Sequence, residues 1–138
     1  MDVKYRLESI LETEFRINYD FDYQSFDAEK IIFQIGHSVK PEIEKGIITI
    51  DARATLVYDD QEEFLSSNAI RMVFGVNPIS EIIELKEDGT FASAVPSVID
   101  NFQAAAIGAL RGIYTKNLKG TPLEKCYLPL VAIEHSKR

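Results

Sequence analysis

Apolar and polar side chains alternate along the first part of the chain. From Val3 to Tyr23 nearly every odd position is apolar, aromatic or a small hydroxyl residue, whereas the even positions, Ile10 apart, are charged or polar. A period of two residues is typical of a β-strand with one buried and one solvated face. Because the run is longer than a usual strand of about 5 to 6 residues, we expect a bend or break near Ser9–Leu11, where the alternation is blurred.

Three further stretches have the character of strands and follow one another with short polar links. The sequence predicts strands at residues 31–39, 47–58 and 64–76, and Pro41 should close the first of these because it lacks a backbone donor. Four strands in succession predict an antiparallel sheet, which we expect to be a meander.

The pattern changes after residue 77. Ile79, Ile82 and Ile83 fit a short helical turn, which the turn signal Asp88-Gly89 should end. A longer helix is predicted from residue 96 to between residues 117 and 120, and residues 119–131, with two prolines, should be extended. The predicted architecture is therefore α+β: a single domain, residues 1–138, in which one long helix packs on one face of a four-stranded antiparallel sheet.

The long helix is predicted to have two different faces. Its apolar arc, which should cover the sheet, consists of Val98, Ile99, Phe102, Ala106, Ala109, Leu110 and Ile113. Small or short side chains share another strip, called here the small strip: Asn101, Ala104, Ala105, Gly108, Gly112 and Thr115.

The two glycines of the small strip have the spacing of a membrane helix-dimerisation motif. Asp100 and Arg111 argue against a membrane helix, because both charges would lie in lipid. Interior glycines cost about 1 kcal/mol each relative to alanine. We therefore expect close approach by another helix or by the sheet; the alternative is a tolerated cost on a solvated face.

Composition and charge exclude several classes of function. The chain has 138 residues, of which 46% are hydrophobic and 27% charged, as in a globular domain with a real core. Its 15 basic and 22 acidic residues give a net charge of -7 without a basic stripe, so nucleic acid is not an expected partner. No signal peptide and no apolar run of about 18 residues is visible, which predicts a cytoplasmic protein without membrane insertion.

Candidate catalytic and metal-binding residues are few. The chain lacks "GxxxxGK[ST]", "GxGxxG", "HExxH" and "GxSxG". His37 and His135 stand far apart, the single cysteine Cys126 should be packed, and "DDQEE" lacks the glycine and spacing of a calcium loop. We expect no catalysis, cofactor or metal; an enzyme would need His37 or Cys126 beside a perturbed carboxylate.

Apolar side chains are abundant near the strand ends and connections. They can complete the core of a small sheet, or they can form a binding surface if the helix does not cover them. The residues concerned are Tyr19, Phe21, Tyr23, Phe26, Ile79, Ile82, Ile83 and Phe91.

Three strings of the sequence resemble the SecB-like export chaperones and their relatives that partner toxin–antitoxin systems. They are "YRLESILETEFRI", "GIITIDARATLVYDDQEEFLSSNAIRMVFGV" and "LRGIYTKNLKGTPLEKCYLPLV". The resemblance spans Val3 to Val131, and its most specific part combines Arg111-Gly112 with residues 120–122 and 128–129.

This resemblance implies an ATP-independent holdase that keeps non-native polypeptides unfolded in apolar grooves, with the apolar set above as polypeptide-binding residues. It implies a homotetramer, a dimer of dimers, with helices at the interface, and so makes the small strip the oligomer interface. Glu14 falls where the family has an acidic residue on the exposed sheet face that helps to contact the translocase motor ATPase.

Two departures from the family pattern favour a variant role. The second acidic contact of that face would fall at Ser67, which is uncharged, and only eight residues follow Leu130, too few for the family's second helix. A dedicated chaperone of an antitoxin or of another single client is therefore an alternative. A carrier of a small apolar ligand, bound by the aromatic residues in an enclosed pocket, is the alternative from a different class.

Overall fold

A computed structural model describes residues 3–59 and 63–129 of the chain. The elements are β1 (Lys4–Ile17), β2 (Ile31–Glu42), β3 (Ile47–Tyr58), β4 (Glu63–Asn77), β5 (Ile83–Leu85), β6 (Phe91–Ser93) and α1 (Pro96–Leu118), with single 3₁₀ turns at Tyr23–Ser25, Ala28–Lys30, Ile43–Lys45 and Ile79–Glu81. The predicted α+β fold, a four-stranded antiparallel sheet with one long helix, is confirmed. Most of the acidic link "DDQEE", and His135, lie outside the described residues.

The order of strands in the sheet is β1-β4-β3-β2. The predicted meander holds for β2, β3 and β4, but β1 lies beside β4 and not beside β2. Because β2 and β4 occupy both sides of β3, the first strand can pair only at an outer edge, and residues 18–30 carry the chain from that edge to the other. Both β1 and β2 are therefore edge strands.

Two irregularities in β1 decide which of its side chains share a face. Its pairing with β4 shifts between Leu7 and Ser9 and again between Glu12 and Glu14, so the break expected near Ser9 is confirmed. Each β-bulge moves the following residues to the other face. The odd positions therefore do not form one continuous face: Ile10 lies on the same side as Leu7, whereas Leu11 lies on the opposite side.

β1 ends at Ile17, earlier than the predicted limit of Tyr23. The backbone turns at Asn18, whose N–H donates to the Leu65 carbonyl at 2.7 Å, and the Tyr23 hydroxyl donates to the Asn18 carbonyl at 2.6 Å. Asp22 then accepts from the Gln24 N–H and caps a 3₁₀ turn. The aromatic residues after β1 thus belong to a folded connection, not to the strand.

The segment before α1 corrects the predicted helical turn. Only Ile79–Glu81 is helical, and it is a single 3₁₀ turn; Ile83–Leu85 instead pairs with Phe91–Ser93 as a hairpin. Gly89 has a φ of 86°, and the Asp88 carboxylate accepts from the Thr90 N–H, so Asp88-Gly89 is the hairpin turn. Residues 121–125, predicted to be extended, also form a turn.

The core lies between α1 and the two central strands. Phe102 of the helix stacks on Phe74 of β4 with ring centroids 4.1 Å apart, and Leu110 is fully buried. The buried face of α1 is rotated relative to the predicted arc, since Ile107 and Tyr114 are buried while Val98, Ala109 and Ile113 are only half-buried. Every residue of the small strip is exposed.

Candidate functional site

One helix covers only part of one face of this sheet. Four strands spaced about 4.8 Å apart are roughly 19 Å wide, whereas a helix with its side chains is about 10 Å wide. The helix packs on the central strands β3 and β4. The helix-facing side chains of both edge strands are therefore left partly uncovered, and they form two rows that flank the helix.

The first row, called here the β1 row, runs along the helix-facing side of β1. Tyr5, Leu7, Ile10 and Phe15 pair opposite β4 residues of the core face, yet they remain 48%, 47%, 46% and 40% exposed. Tyr5 touches the helix through an edge-to-face contact with Phe102 at 5.7 Å. Glu12 lies on the same side between Ile10 and Phe15 and accepts a hydrogen bond from Asn117 of the helix at 2.6 Å. The row therefore consists of four half-exposed apolar side chains interrupted by one carboxylate.

The second row lies on the helix-facing side of β2, and its apolar side chains are more buried than those of the β1 row. Ile31, Phe33, Ile35 and Val39 are half-buried and pack against the core. His37 belongs to the same side of the strand and is exposed; its Nδ1 lies 3.1 Å from the Nε2 of Gln103, a buried residue of α1. This arrangement gives His37 a structural contact between β2 and the helix.

An aromatic cluster, Phe21, Tyr23, Phe26 and Tyr58, joins the two rows at the end of the sheet near the C-terminal end of α1. Its centroids lie 4.8 to 6.0 Å apart, in tilted and edge-to-face contacts. The Tyr58 hydroxyl accepts from the Asp27 N–H at 3.0 Å and fixes the connection onto β3. Phe21, Tyr23 and Phe26 lie near one another in the sequence, whereas only the tertiary fold brings Tyr58 to them.

The predicted polypeptide-binding residues fall into two separate groups. Phe21, Tyr23 and Phe26 are half-buried in the aromatic cluster, and Tyr19 beside them is 68% exposed. Ile79, Ile82, Ile83 and Phe91 follow the opposite end of β4, about 40 Å away. In that second group the three isoleucines are core residues, and Phe91 is 44% exposed.

Burial raises the pKa of two groups near the aromatic cluster. Desolvation raises the pKa of Tyr23 and that of the Cys126 thiol. The Cys126 carbonyl also accepts a hydrogen bond from the Tyr114 hydroxyl, which ties the segment after α1 to the helix. Because a raised pKa depletes the thiolate, Cys126 has the environment of a packed residue and not of a nucleophile.

Glu14 lies on the open face of the sheet, the face opposite the helix. Its carboxylate lies 3.3 Å from an Arg53 guanidinium nitrogen and 3.6 Å from that of Arg16. A hydrogen bond with Ser67, followed by the charge of Arg53, holds the pKa of Glu14 below its usual range. The surface around Glu14 is therefore charge-compensated and not acidic.

The two glycines of the small strip have open space beside them in the described chain. A Cβ atom placed at Gly108 or at Gly112 would meet nothing within 4 Å. Close approach by the sheet of the same chain therefore does not explain these glycines. Contact with a second copy stays a prediction.

Metal-ligating side chains are not clustered in the described part of the chain. Residues 3–59 and 63–129 contain no group of three or more His, Cys, Asp or Glu that could hold a metal ion. In those same ranges, no helix combines the length and hydropathy that crossing a bilayer requires.

Sequence reasoning missed the β1 row as a candidate site. Strict alternation places Tyr5, Leu7 and Phe15 on the buried face and Ile10 on the solvated one, and the bulge that places Ile10 on the side of Leu7 leaves little trace in the sequence. The number of predicted elements could have indicated this surface, because four strands and one long helix leave about half of one sheet face uncovered. Tyr5, Leu7, Ile10 and Phe15 follow from that count once the register is known.

The structure is an α+β fold in which one helix leaves the helix-facing side chains of both edge strands partly uncovered. No protein-family model and no curated protein matches the sequence. Among solved structures, the chain matches the Mycobacterium tuberculosis SecB-like chaperone Rv1957 in complex with a ChAD peptide from the Rv1956 HigA1 antitoxin, with a TM-score of 0.51 and 7% identity over 93% of this chain and 90% of that one. A protein of unknown function from Streptococcus agalactiae matches with a TM-score of 0.43 and 12% identity, over 97% and 99% of the two chains.

Proposed function

We propose that the protein is an ATP-independent holdase-type chaperone, related to the protein-export chaperones, that binds non-native polypeptides in apolar grooves. The observation that carries the proposal is the β1 row, in which four large apolar side chains stand about half exposed along one edge strand. Exposed apolar surface of this extent marks an interaction site. The aromatic cluster and Tyr19 extend the same surface beyond the end of β1.

The geometry of the β1 row suits an extended chain. From Tyr5 to Phe15 the strand is about 33 Å long, which matches roughly ten residues of extended polypeptide. The outer edge of β1 also offers backbone groups for strand addition. Backbone pairing and apolar burial require no particular client sequence, and neither requires nucleotide, cofactor or a catalytic step.

The partners follow from this proposal. The clients are non-native polypeptides, in the cytoplasm. The solved relative is a SecB-like chaperone in complex with an antitoxin peptide, which supports the narrower alternative of a dedicated chaperone for an antitoxin or another single client. We further propose a homotetramer, a dimer of dimers, with the small strip as the contact between copies. The negative charge of Glu14 is compensated by Arg53, and Ser67 is uncharged. Both features make the translocase motor the less favoured partner in this proposal.

The test is suppression of aggregation. A chemically unfolded protein is diluted into buffer with increasing amounts of the purified chain, without nucleotide, and light scattering is followed. The proposal predicts suppression at near-stoichiometric tetramer for several unrelated clients; suppression for one client alone indicates the dedicated form. No suppression at any ratio for any client refutes both forms.

A carrier of a small apolar ligand is the second candidate, and the aromatic cluster is the observation that favours it. Its four rings enclose partly buried apolar surface. The rings already contact one another, however, so a ligand would have to separate them. Native mass spectrometry of the purified protein tests this candidate: a copurifying ligand, together with no effect on aggregation, would replace the holdase proposal.

A further inference from the structure

The open face of the sheet has an unexpected charge pattern. Three arginines, Arg16, Arg53 and Arg71, stand there on neighbouring strands with two carboxylates, Glu14 and Asp51. Glu14 contacts both Arg16 and Arg53, and Asp51 accepts from Arg71 at 2.8 Å. These five side chains therefore have one positive charge in excess, on a chain whose net charge is -7.

The cations also stand further out than the anions. The side chains of Arg16, Arg53 and Arg71 are 62%, 54% and 49% exposed, whereas those of Glu14 and Asp51 are 22% and 41% exposed. A partner approaching this face therefore meets guanidinium groups first. Because a guanidinium has five N–H donors, an ion pair with one carboxylate leaves further donors that point elsewhere.

A shallow hollow lies between two of these arginines. It has a volume of about 500 Å³, and Arg53 and Arg71 line it together with Thr13, Ser38 and Asp51, the carboxylate already paired with Arg71. Gly36 and Ala69, also in the lining, have little or no side chain, and a Cβ atom at Gly36 would meet nothing within 4 Å. The small size of these residues leaves the space that forms the hollow.

We propose that this hollow docks an acidic segment of a partner polypeptide, with a carboxylate held between Arg53 and Arg71. Carboxylates match the planar donor fork of arginine, and the hydroxyls of Thr13 and Ser38 add donors at the rim. The net negative charge of the rest of the chain repels an acidic partner elsewhere, so docking is confined to this face. The same net charge disfavours nucleic acid, whose phosphates would meet the whole surface.

This site lies on the opposite side of the sheet from the β1 row. Docking of an acidic partner is therefore independent of client binding, and the two can be tested separately. A chaperone with both surfaces could hold a client on the helix side while an acidic segment of another protein occupies the open face.

The test is fluorescence anisotropy with a labelled hexaglutamate peptide, using a labelled hexalysine peptide and a labelled single-stranded oligonucleotide as comparison probes. We expect hexaglutamate to bind, and its binding to weaken as salt rises from about 20 to 150 mM, because exposed charges are screened. The variants Arg53→Gln and Arg71→Gln should each weaken binding, with a Kd about three- to fivefold higher. The variants Arg53→Lys and Arg71→Lys, which retain the charge but lose the donor fork, should show a smaller loss.

The matched control is Arg6→Gln. Arg6 is an exposed arginine of the same face, paired with Glu8, and lies outside the hollow. The variant Arg6→Gln removes one positive charge, as the other two glutamine variants do, and should leave the Kd unchanged. Equal weakening by Arg6→Gln, no binding of hexaglutamate, or tighter binding of hexalysine or of the oligonucleotide would each overturn the proposal. Thermal melts of every variant show that the sheet is folded.

Discussion

The double variant Leu7→Ser/Ile10→Ser tests the role of the β1 row. These side chains are 47% and 46% exposed, so a bound client can still cover about half of each. Complete burial of such a side chain stabilises by about 1.5–3 kcal/mol, so each should contribute about 1 kcal/mol to client binding. The variant should therefore bind an unfolded client with a free energy about 2 kcal/mol weaker, which is roughly a 30-fold higher Kd.

The chain supplies a matched control for this variant. Leu11 and Ile32 are also a leucine and an isoleucine on edge strands, 53% and 41% exposed, but they lie on the open face of the sheet. Leu11→Ser/Ile32→Ser should therefore cost a similar amount of folding free energy and leave client binding unchanged. The assays are chemical denaturation, to compare stabilities, and fluorescence anisotropy with a labelled, permanently unfolded client at a temperature where both variants are folded.

Two results would refute this reasoning. Equal weakening of client binding by the two double variants would show that the helix-facing side has no special role. A change in assembly mass on light scattering, with client affinity unchanged, would assign the β1 row to contact between copies of the chain instead of clients.

Three further predictions follow from the core, the open face and the small strip. Leu110→Ala should lower the free energy of unfolding by about 3 kcal/mol in urea denaturation, because the side chain is fully buried; a loss below about 1 kcal/mol would contradict the described packing. The pKa of Glu14 is lowered in the folded state, so its charged form contributes stability that is present above the unfolded-state pKa, about 4.3, and is lost as the pH falls through the folded-state pKa. Glu14→Gln should thus lower the melting temperature at pH 7 relative to the parent chain, and the difference should vanish in acid; a difference that persists in acid would exclude this ion pair as its source. Gly108→Leu and Gly112→Leu should each dissociate the assembly on light scattering while circular dichroism shows an intact fold, and an unchanged mass would remove the small strip from the interface.

The central strands could be predicted well from the sequence. β3 has the predicted bounds, residues 47–58, because it pairs on both sides and its alternation continues as far as Leu56. The strand order could not be predicted, since alternation reports which face a side chain takes but not which strand lies beside it. Ile83 shows a similar limit, because three isoleucines in five positions fit both a helical turn and the start of a short strand.

The candidate site was only partly predictable for the same physical reason. Phe21, Tyr23 and Phe26 are close in sequence and stay together in the structure, so local reasoning found them. Ile79 and Phe91 follow the opposite end of β4, a separation that the sequence alone does not reveal. The charge compensation at Glu14 depends on Arg53, 39 residues away in sequence, and only the register of the sheet brings the two together.

The most direct test of the proposed function is a methyl NMR titration of the chain with a permanently unfolded client. Binding on the helix-facing side should shift the methyl signals of Leu7, Ile10 and Ile35, and leave those of Leu11 and Ile32 in place, because these two lie across the sheet. Shifts confined to Leu11 and Ile32 would contradict client binding along the rows that flank the helix. The absence of any shift, at a ratio of chain to client that suppresses aggregation, would contradict it as well.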